Sequence, residues 1–182
     1  DFLNQSSIKQ SEALILMKDY VERTEELKDG LEPYPISLRC INWIKYLSKK
    51  NIQDEAINKS LYNQYIRLLD NLEYHILGNH LLENGLSLLF GAYYFKDDVF
   101  YSKAKKIIIE ELEEQILQDG AHFELSPMYH QIILDRVLDC IYLVKENAWK
   151  ENLELIYLMK LKATEMMSWL NEVTFKDGII PM

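Results

Sequence analysis

The amino-acid sequence predicts an all-α fold built from pairs of antiparallel helices. Apolar residues recur with helical periodicity through nearly all of the 182 residues, and strand-like alternation is hard to find. Glycine and proline, which interrupt helices, number only six and four. Helical hairpins begin at Ile36, Asn79 and Ser126, so they repeat about every forty to fifty residues, as in architectures of repeated helical pairs.

The first three predicted helices are separated by clear interruptions. The first helix runs from about Ser11 to Lys28 and stops at an Asp-Gly pair. Residues 32–35, Glu-Pro-Tyr-Pro, are predicted to be non-helical because each proline favours extended geometry in the preceding residue. The second helix then spans about 36–49 and the third about 54–76.

The remaining four helices alternate in charge. The fourth, about 79–95, is almost entirely apolar and has Glu83 as its single charge. The fifth, about 98–117, is densely charged, the sixth starts at a Ser-Pro pair at 126–127, and the seventh spans about 152–175. An inner ring of helices wrapped by an outer ring is expected to produce this contrast.

Composition and charge narrow the function. A formal net charge of −9 argues against duplex nucleic acid or an anionic membrane surface as the main partner. No apolar run reaches transmembrane length, and Cys40 and Cys140 lie in apolar helical contexts typical of core residues. The four histidines lack close ligand spacing, and no Gly-rich phosphate loop or nucleophile elbow occurs. We therefore predict no metal ion and no cofactor.

Unusual polar residues gather at the starts of the even-numbered helices. Because antiparallel helices alternate in direction, these starts are predicted to share one rim of the ring. The polar positions are Arg39, Asn42, Asn79, His80, Glu83, His122, Glu124, Tyr129 and His130. Helix N-termini carry unpaired N–H groups and partial positive charge, so such a rim suits a carboxylate or a sulfate.

Individual side chains at this rim have suitable chemistry. Arg39 can hold an anion with two hydrogen bonds, and Asn79 can donate to a carboxylate. His80 and Tyr129 can move protons, and Glu83 is predicted to orient the His80 ring. Structural alternatives stay open: Asn79 as a helix N-cap, Arg39 paired with a carboxylate of an outer helix, and His80 and Tyr129 as ordinary structural residues.

Three blocks of sequence resemble the heparinase II/III-like and alginate-lyase-like toroid of polysaccharide lyases. They are YPISLR with NWI at 34–39 and 42–44, LGNHLLENG at 77–85, and DGAHFELSPMYH at 119–130. Their order and spacing extend the resemblance through the whole chain. It is most similar to the branch found with bacterial surface-polysaccharide gene sets.

The resemblance implies an incomplete α/α toroid that forms one domain over 1–182. It also implies β-elimination of acidic, uronic-acid-containing glycans. Asn79 would neutralise the uronate carboxylate, and Tyr129, with His80, would move the proton. The implied substrate-binding residues are Arg39, Asn42, Glu83, His122, Glu124 and His130.

In this family a β-sandwich domain follows the toroid, packs against it and supplies further catalytic residues. The resemblance implies that such a domain is missing from these 182 residues, and that the protein is extracytoplasmic. A non-catalytic toroid that binds glycans during surface polysaccharide or lipopolysaccharide biosynthesis is the alternative function. A helical scaffold for protein partners is a third possibility.

Overall fold

The chain is all-helical in the residues that the structure describes. The structure is a computed structural model, and the residues it describes are 3–5, 8–150 and 152–180. Within these ranges it contains seven α-helices and no strand, and an isolated bridge joins Ile116 and His122. Over the same ranges each helix is too short or too polar to span a lipid bilayer. The predicted all-α class is confirmed.

The chain divides into two compact units, residues 1–73 and residues 74–182. The prediction that 1–182 forms one continuous domain stays a prediction. The first unit contains α1 (Gln10–Arg23), α2 (Pro33–Lys50) and α3 (Glu55–Asp70). α3 packs against both α1 and α2, and these contacts hold the unit together.

The prolines at the start of α2 are helical, so the prediction of a non-helical segment at 32–35 is wrong. α2 begins at Pro33, and its first helical hydrogen bond runs from the Ile36 N–H to the Glu32 carbonyl at 3.1 Å. The first N–H groups of any helix lack an acceptor within the helix. Pro33 and Pro35 therefore lose no hydrogen bond by having no N–H, and they fit the first turn.

The first and third helices end earlier than the sequence predicts, at Arg23 and Asp70. In each case a polar side chain bonds to the last turn. The Thr24 hydroxyl donates to the backbone carbonyl four residues earlier at 2.7 Å, and the Asn71 amide donates to the Arg67 carbonyl at 2.8 Å. Such side chains compete with the backbone for the final carbonyl groups, and they favour termination.

The second unit contains α4 (His80–Phe95), α5 (Asp98–Gln115), α6 (Pro127–Glu146) and α7 (Leu153–Val173). Thirteen of the sixteen residues of α4 are buried, as expected for an inner helix. α4 packs against α5 and α6, and α7 packs against the same two helices.

Contacts near the helix ends fix the directions in this unit. Gln115, the last residue of α5, donates to the Gly78 carbonyl just before α4 at 3.2 Å. His130, near the start of α6, contacts the Met166 carbonyl late in α7 at 3.0 Å. A Cβ atom at Gly78 would lie 2.6 Å from the Glu124 carboxylate, so the chain preceding α4 touches the chain preceding α6. The starts of α4 and α6 therefore share one end of the unit.

Gly120 allows the α5–α6 connection to pass against α7. Its φ is +88°, and a Cβ atom there would collide with the Glu165 carbonyl. We expect Gly120→Ala to lower the free energy of unfolding by more than about 2 kcal/mol, because the strained backbone and the collision add. Urea unfolding measures this loss. Gly178→Ala is the control, since its φ is +82° with no neighbour within 4 Å. An equal loss in both variants would contradict the role assigned to the close contact.

Candidate active site

Asn79 precedes the first residue of α4 but does not cap the helix with its side chain. The backbone carbonyl of Asn79 accepts the helical bond from Glu83 N at 2.9 Å, whereas the side chain makes no capping bond. The residue is only 4% exposed, and its Nδ2 has no hydrogen-bond partner among the described residues. A buried amide donor without an acceptor is costly for a fold. Asn79 therefore has the N-cap position without the N-cap interaction, which leaves its amide for a ligand.

Glu83 lies one helical turn after Asn79 and is fully buried. Its Oε2 is 3.4 Å from Nε of Arg136 in α6. Neither carboxylate oxygen has a hydrogen-bond partner in the part of the chain that the structure describes. The predicted hydrogen bond that would orient His80, which is itself half-buried at the start of α4, is therefore wrong.

Burial raises the pKa of the Glu83 carboxyl, Arg136 opposes that rise, and Asp135 and Asp139 add to it. The sequence analysis missed Arg136. One signal was available: this arginine lies within an apolar run of α6 that includes the buried residues Ile133 and Val137.

His122 and His130 form a buried network in front of α6. The His122 N–H donates to Nδ1 of His130 at 3.2 Å, so the His130 proton is on Nε2 and points to the Met166 carbonyl at 3.0 Å. Nδ1 of His122 accepts from the Glu124 N–H at 3.4 Å, and Nε2 contacts the Gln115 amide oxygen at 3.0 Å. Both rings are neutral in this arrangement, and all four ring nitrogens have partners.

This network holds the backbone next to Asn79. Gln115 connects His122 to the Gly78 carbonyl, while the Glu124 side chain lies against Gly78. The φ of Gly78 is +110°, a conformation that favours glycine. Gln115 was not singled out from the sequence, because a glutamine at the end of a charged helix carries no distinguishing signal.

Acid is expected to destabilise the fold through His122. Burial, with a smaller effect of His130, lowers its pKa to about 4 from an ordinary value near 6.5. The unfolded chain therefore takes up a proton before the folded chain does, and stability is lost as pH falls from about 6.5 to about 4. The expected loss is about 3 kcal/mol, measured as the fall in the urea-unfolding free energy between pH 7 and pH 4.

The control for this prediction is a pair of variants. His122→Gln should lose much less stability on acidification than the unmodified protein. His75→Gln, which changes an exposed histidine in the same unit, should lose as much as the unmodified protein. A His122→Gln variant with an unchanged pH profile would contradict the prediction.

Tyr129 differs from the histidines in being accessible. It lies in the first turn of α6, is 41% exposed, and its N–H bonds to the capping Ser126 hydroxyl at 3.4 Å. Its helix begins at the same end of the unit as α4. The structure therefore combines, at one end of the second unit, a buried unpaired amide and an accessible phenol.

Arg39 and Asn42 lie in α2 of the first unit. Arg39 donates to the Gln64 amide oxygen at 2.6 Å and to the Gly30 carbonyl at 2.9 Å, and its guanidinium lies 4.5 Å from the Tyr20 ring centroid. These partners replace the outer-helix carboxylate considered from the sequence. Nη2 of Arg39 is buried and has no hydrogen-bond partner among the described residues.

The amide oxygen of Asn42 accepts from the Asn4 side chain at 3.2 Å. The predicted convergence of Arg39 and Asn42 with the residues of the second unit stays a prediction. Among the described residues, no three His, Cys, Asp or Glu side chains form a group that could hold a metal ion.

Comparison with known proteins identifies the family. The chain matches, over residues 36–182, the family model described as Heparinase II/III N-terminus. A search of curated proteins found no match. The structure is similar to that of a heparan sulfate lyase HepC mutant from Pedobacter heparinus, with a TM-score of 0.65 and 20% sequence identity. This similarity covers 91% of this chain and 29% of that chain, and it confirms the predicted fold class. Since the family model covers most of the sequence, the chain belongs to the heparinase II/III family, in the part described as its N-terminus.

Proposed function

We propose that this chain is the helical part of a polysaccharide lyase that cleaves uronic-acid-containing glycans by β-elimination. The observation that carries the proposal is the buried, unpartnered Nδ2 of Asn79, at the same end of the second unit as the accessible phenol of Tyr129. A donor kept without a protein acceptor is what a site for a carboxylate requires.

In the proposed reaction Asn79 donates a hydrogen bond to the uronate carboxylate. This bond strengthens as negative charge builds up during loss of the C5 proton. The Tyr129 oxygen, assisted by His80, takes that proton. A double bond then forms between C4 and C5 while the bond from C4 to O4 breaks, and a proton returns to the departing O4. The positive end of the α6 dipole favours negative charge on an oxygen in its first turn.

The other predicted site residues divide by accessibility. His122 and His130 are buried with their ring nitrogens occupied, so we propose that they position the Gly78–Asn79 backbone without touching the glycan. Glu124, which is exposed, and Arg39, which has an unused Nη2, stay proposed contacts for the polymer. We propose the same role for Asn42.

The intact protein is proposed to pack this toroid against a β-sandwich domain and to act outside the cytoplasm. Both statements rest on the family's pattern. The printed activity of the structural relative, a heparan sulfate lyase, makes sulfated uronate polymers one substrate class to test.

The test uses the full-length protein on uronic-acid polymers with and without sulfate. β-Elimination leaves an unsaturated uronate, which absorbs in the ultraviolet, and this absorbance is the expected result. The matched control is the same polymer with its carboxyl groups reduced to alcohols, which removes the group that acidifies the C5 proton. Binding without any unsaturated product would replace the lyase proposal with a non-catalytic glycan-binding toroid. Equal cleavage of the reduced polymer would contradict the role of Asn79.

A further inference from the structure

A buried ion pair joins the two helices that carry the proposed catalytic residues. Glu83 of α4 is fully buried, the Arg136 side chain of α6 is 12% exposed, and Nε of Arg136 is 3.4 Å from Oε2 of Glu83. The Arg136 Nη1 also lies 3.5 Å from an Asp139 oxygen on the same helix. Asp135 and Asp139 are the other charged groups that act on Glu83.

The pair lies directly behind the proposed site. Glu83 is four residues after Asn79, so the two share a face of α4. Arg136 is seven residues after Tyr129, so these two share a face of α6. Helical side chains lean toward the N-terminus, which brings the Arg136 guanidinium toward the first turns of both helices.

We propose that Arg136 is a positioning residue, which through its ion pair with Glu83 fixes the distance between Asn79 and Tyr129. Two buried charges lose hydration that apolar residues of similar size would not lose, so this pair contributes geometry more than stability. A guanidinium is rigid and directional, whereas an apolar contact between the same helices would permit sliding. The rest of α4 supplies mainly apolar contacts, as its run of buried residues shows.

The first experiment measures helix position and does not depend on catalysis. Spin labels replace Leu77 and Met128, which are 92% and 46% exposed and adjoin the starts of α4 and α6. In the full-length protein we expect a narrow distribution of label distances. Arg136→Met is expected to widen the distribution and move its mean by about 1 Å or more, and Arg136→Lys is expected to restore most of the native distribution.

Two further variants keep this test decisive. Glu83→Gln combined with Arg136→Met removes both charges, and it covers the case in which Arg136→Met alone fails to fold. Lys105→Met is the matched control, because Lys105 of α5 pairs with Glu154 of α7 at 2.8 Å on the surface, away from the site. The double variant should show the displaced helix starts, and Lys105→Met should show the native distance.

The second experiment measures turnover by the unlabelled variants, and it rests on the proposed lyase function. With Arg136→Met we expect kcat to fall by about 10²-fold while KM stays within about threefold, because a misplacement of about 1 Å is enough for such a loss. Arg136→Lys should recover part of the rate, and Lys105→Met should match the native enzyme.

The two experiments separate failure of this proposal from failure of the proposed function. Native label distances in both Arg136→Met and the double variant would overturn the positioning role, whether or not the protein cleaves glycans. A shifted distance in a protein that cleaves no uronate polymer would support the positioning role and reject the lyase function. Native turnover despite shifted helix starts would overturn the link between the ion pair and catalysis.

Discussion

Tyr129→Phe is expected to lower kcat by about 10²–10⁴-fold and to leave glycan binding within a few-fold. The phenol oxygen is proposed to act mainly in the transition state, and removal of a general acid–base group typically costs this much. Folding should hardly change, because Tyr129 is 41% exposed. The measurement is the rate of unsaturated product formation by the full-length protein, together with a direct binding assay on the same polymer.

Tyr142→Phe is the matched control for this experiment. Tyr142 is another exposed tyrosine of α6, at 67%, and it lies several turns from the proposed site. Its loss should leave kcat and KM unchanged. If Tyr129→Phe cleaves its polymer at nearly the native rate, the phenol is not the proton carrier, and a structural role for Tyr129 is correct.

Asn79→Ala is expected to reduce catalysis without the stability loss that accompanies removal of a helix cap. Removal of one donor to a developing negative charge costs about 10²–10³-fold in kcat. KM should rise as well, because the carboxylate contact exists before proton transfer. Loss of a capping side chain usually costs about 0.5–2 kcal/mol. The Asn79 side chain makes no capping bond, and its Nδ2 is buried without a partner, so stability should stay constant or rise.

Asn152→Ala supplies the opposite behaviour as a control. Asn152 caps α7, and its side chain accepts from the Leu155 N–H at 3.0 Å. This variant should lose about 1 kcal/mol of stability and keep native turnover. Urea unfolding and product formation are measured on both variants. A stability loss in Asn79→Ala equal to that in Asn152→Ala, with turnover unchanged, would restore the structural reading of Asn79.

The order of the helices could be predicted from the sequence because local signals determine it. Helical periodicity fixes the segments, and short polar side chains such as Asp97, Ser126 and Asn152 mark the starts of α5, α6 and α7 by bonding to the first N–H groups. Antiparallel hairpins then place the starts of α4 and α6 at one end of the second unit without any knowledge of long-range contacts. The candidates Asn79, His80 and Tyr129 follow from that reasoning together with the family resemblance.

Local rules failed where context within the helix or the tertiary fold outweighs them. Proline is a helix breaker in general, yet Pro33 and Pro35 begin α2, since their missing N–H groups are not needed there. Glu83 was predicted to orient His80 from their three-residue spacing, whereas its actual partner, Arg136, is more than fifty residues away.

The sequence by itself determined the all-α class, the helix order and the family, because periodicity, capping and motif spacing are local properties of the chain. The tertiary structure alone decided which polar groups are satisfied. Gln115, His122 and His130 saturate one another, while Asn79 Nδ2 is left without an acceptor among the described residues. The physical reason is that hydrogen bonding and burial depend on side chains brought together from distant segments. No local pattern encodes which of several buried amides and imidazoles will be left unpaired.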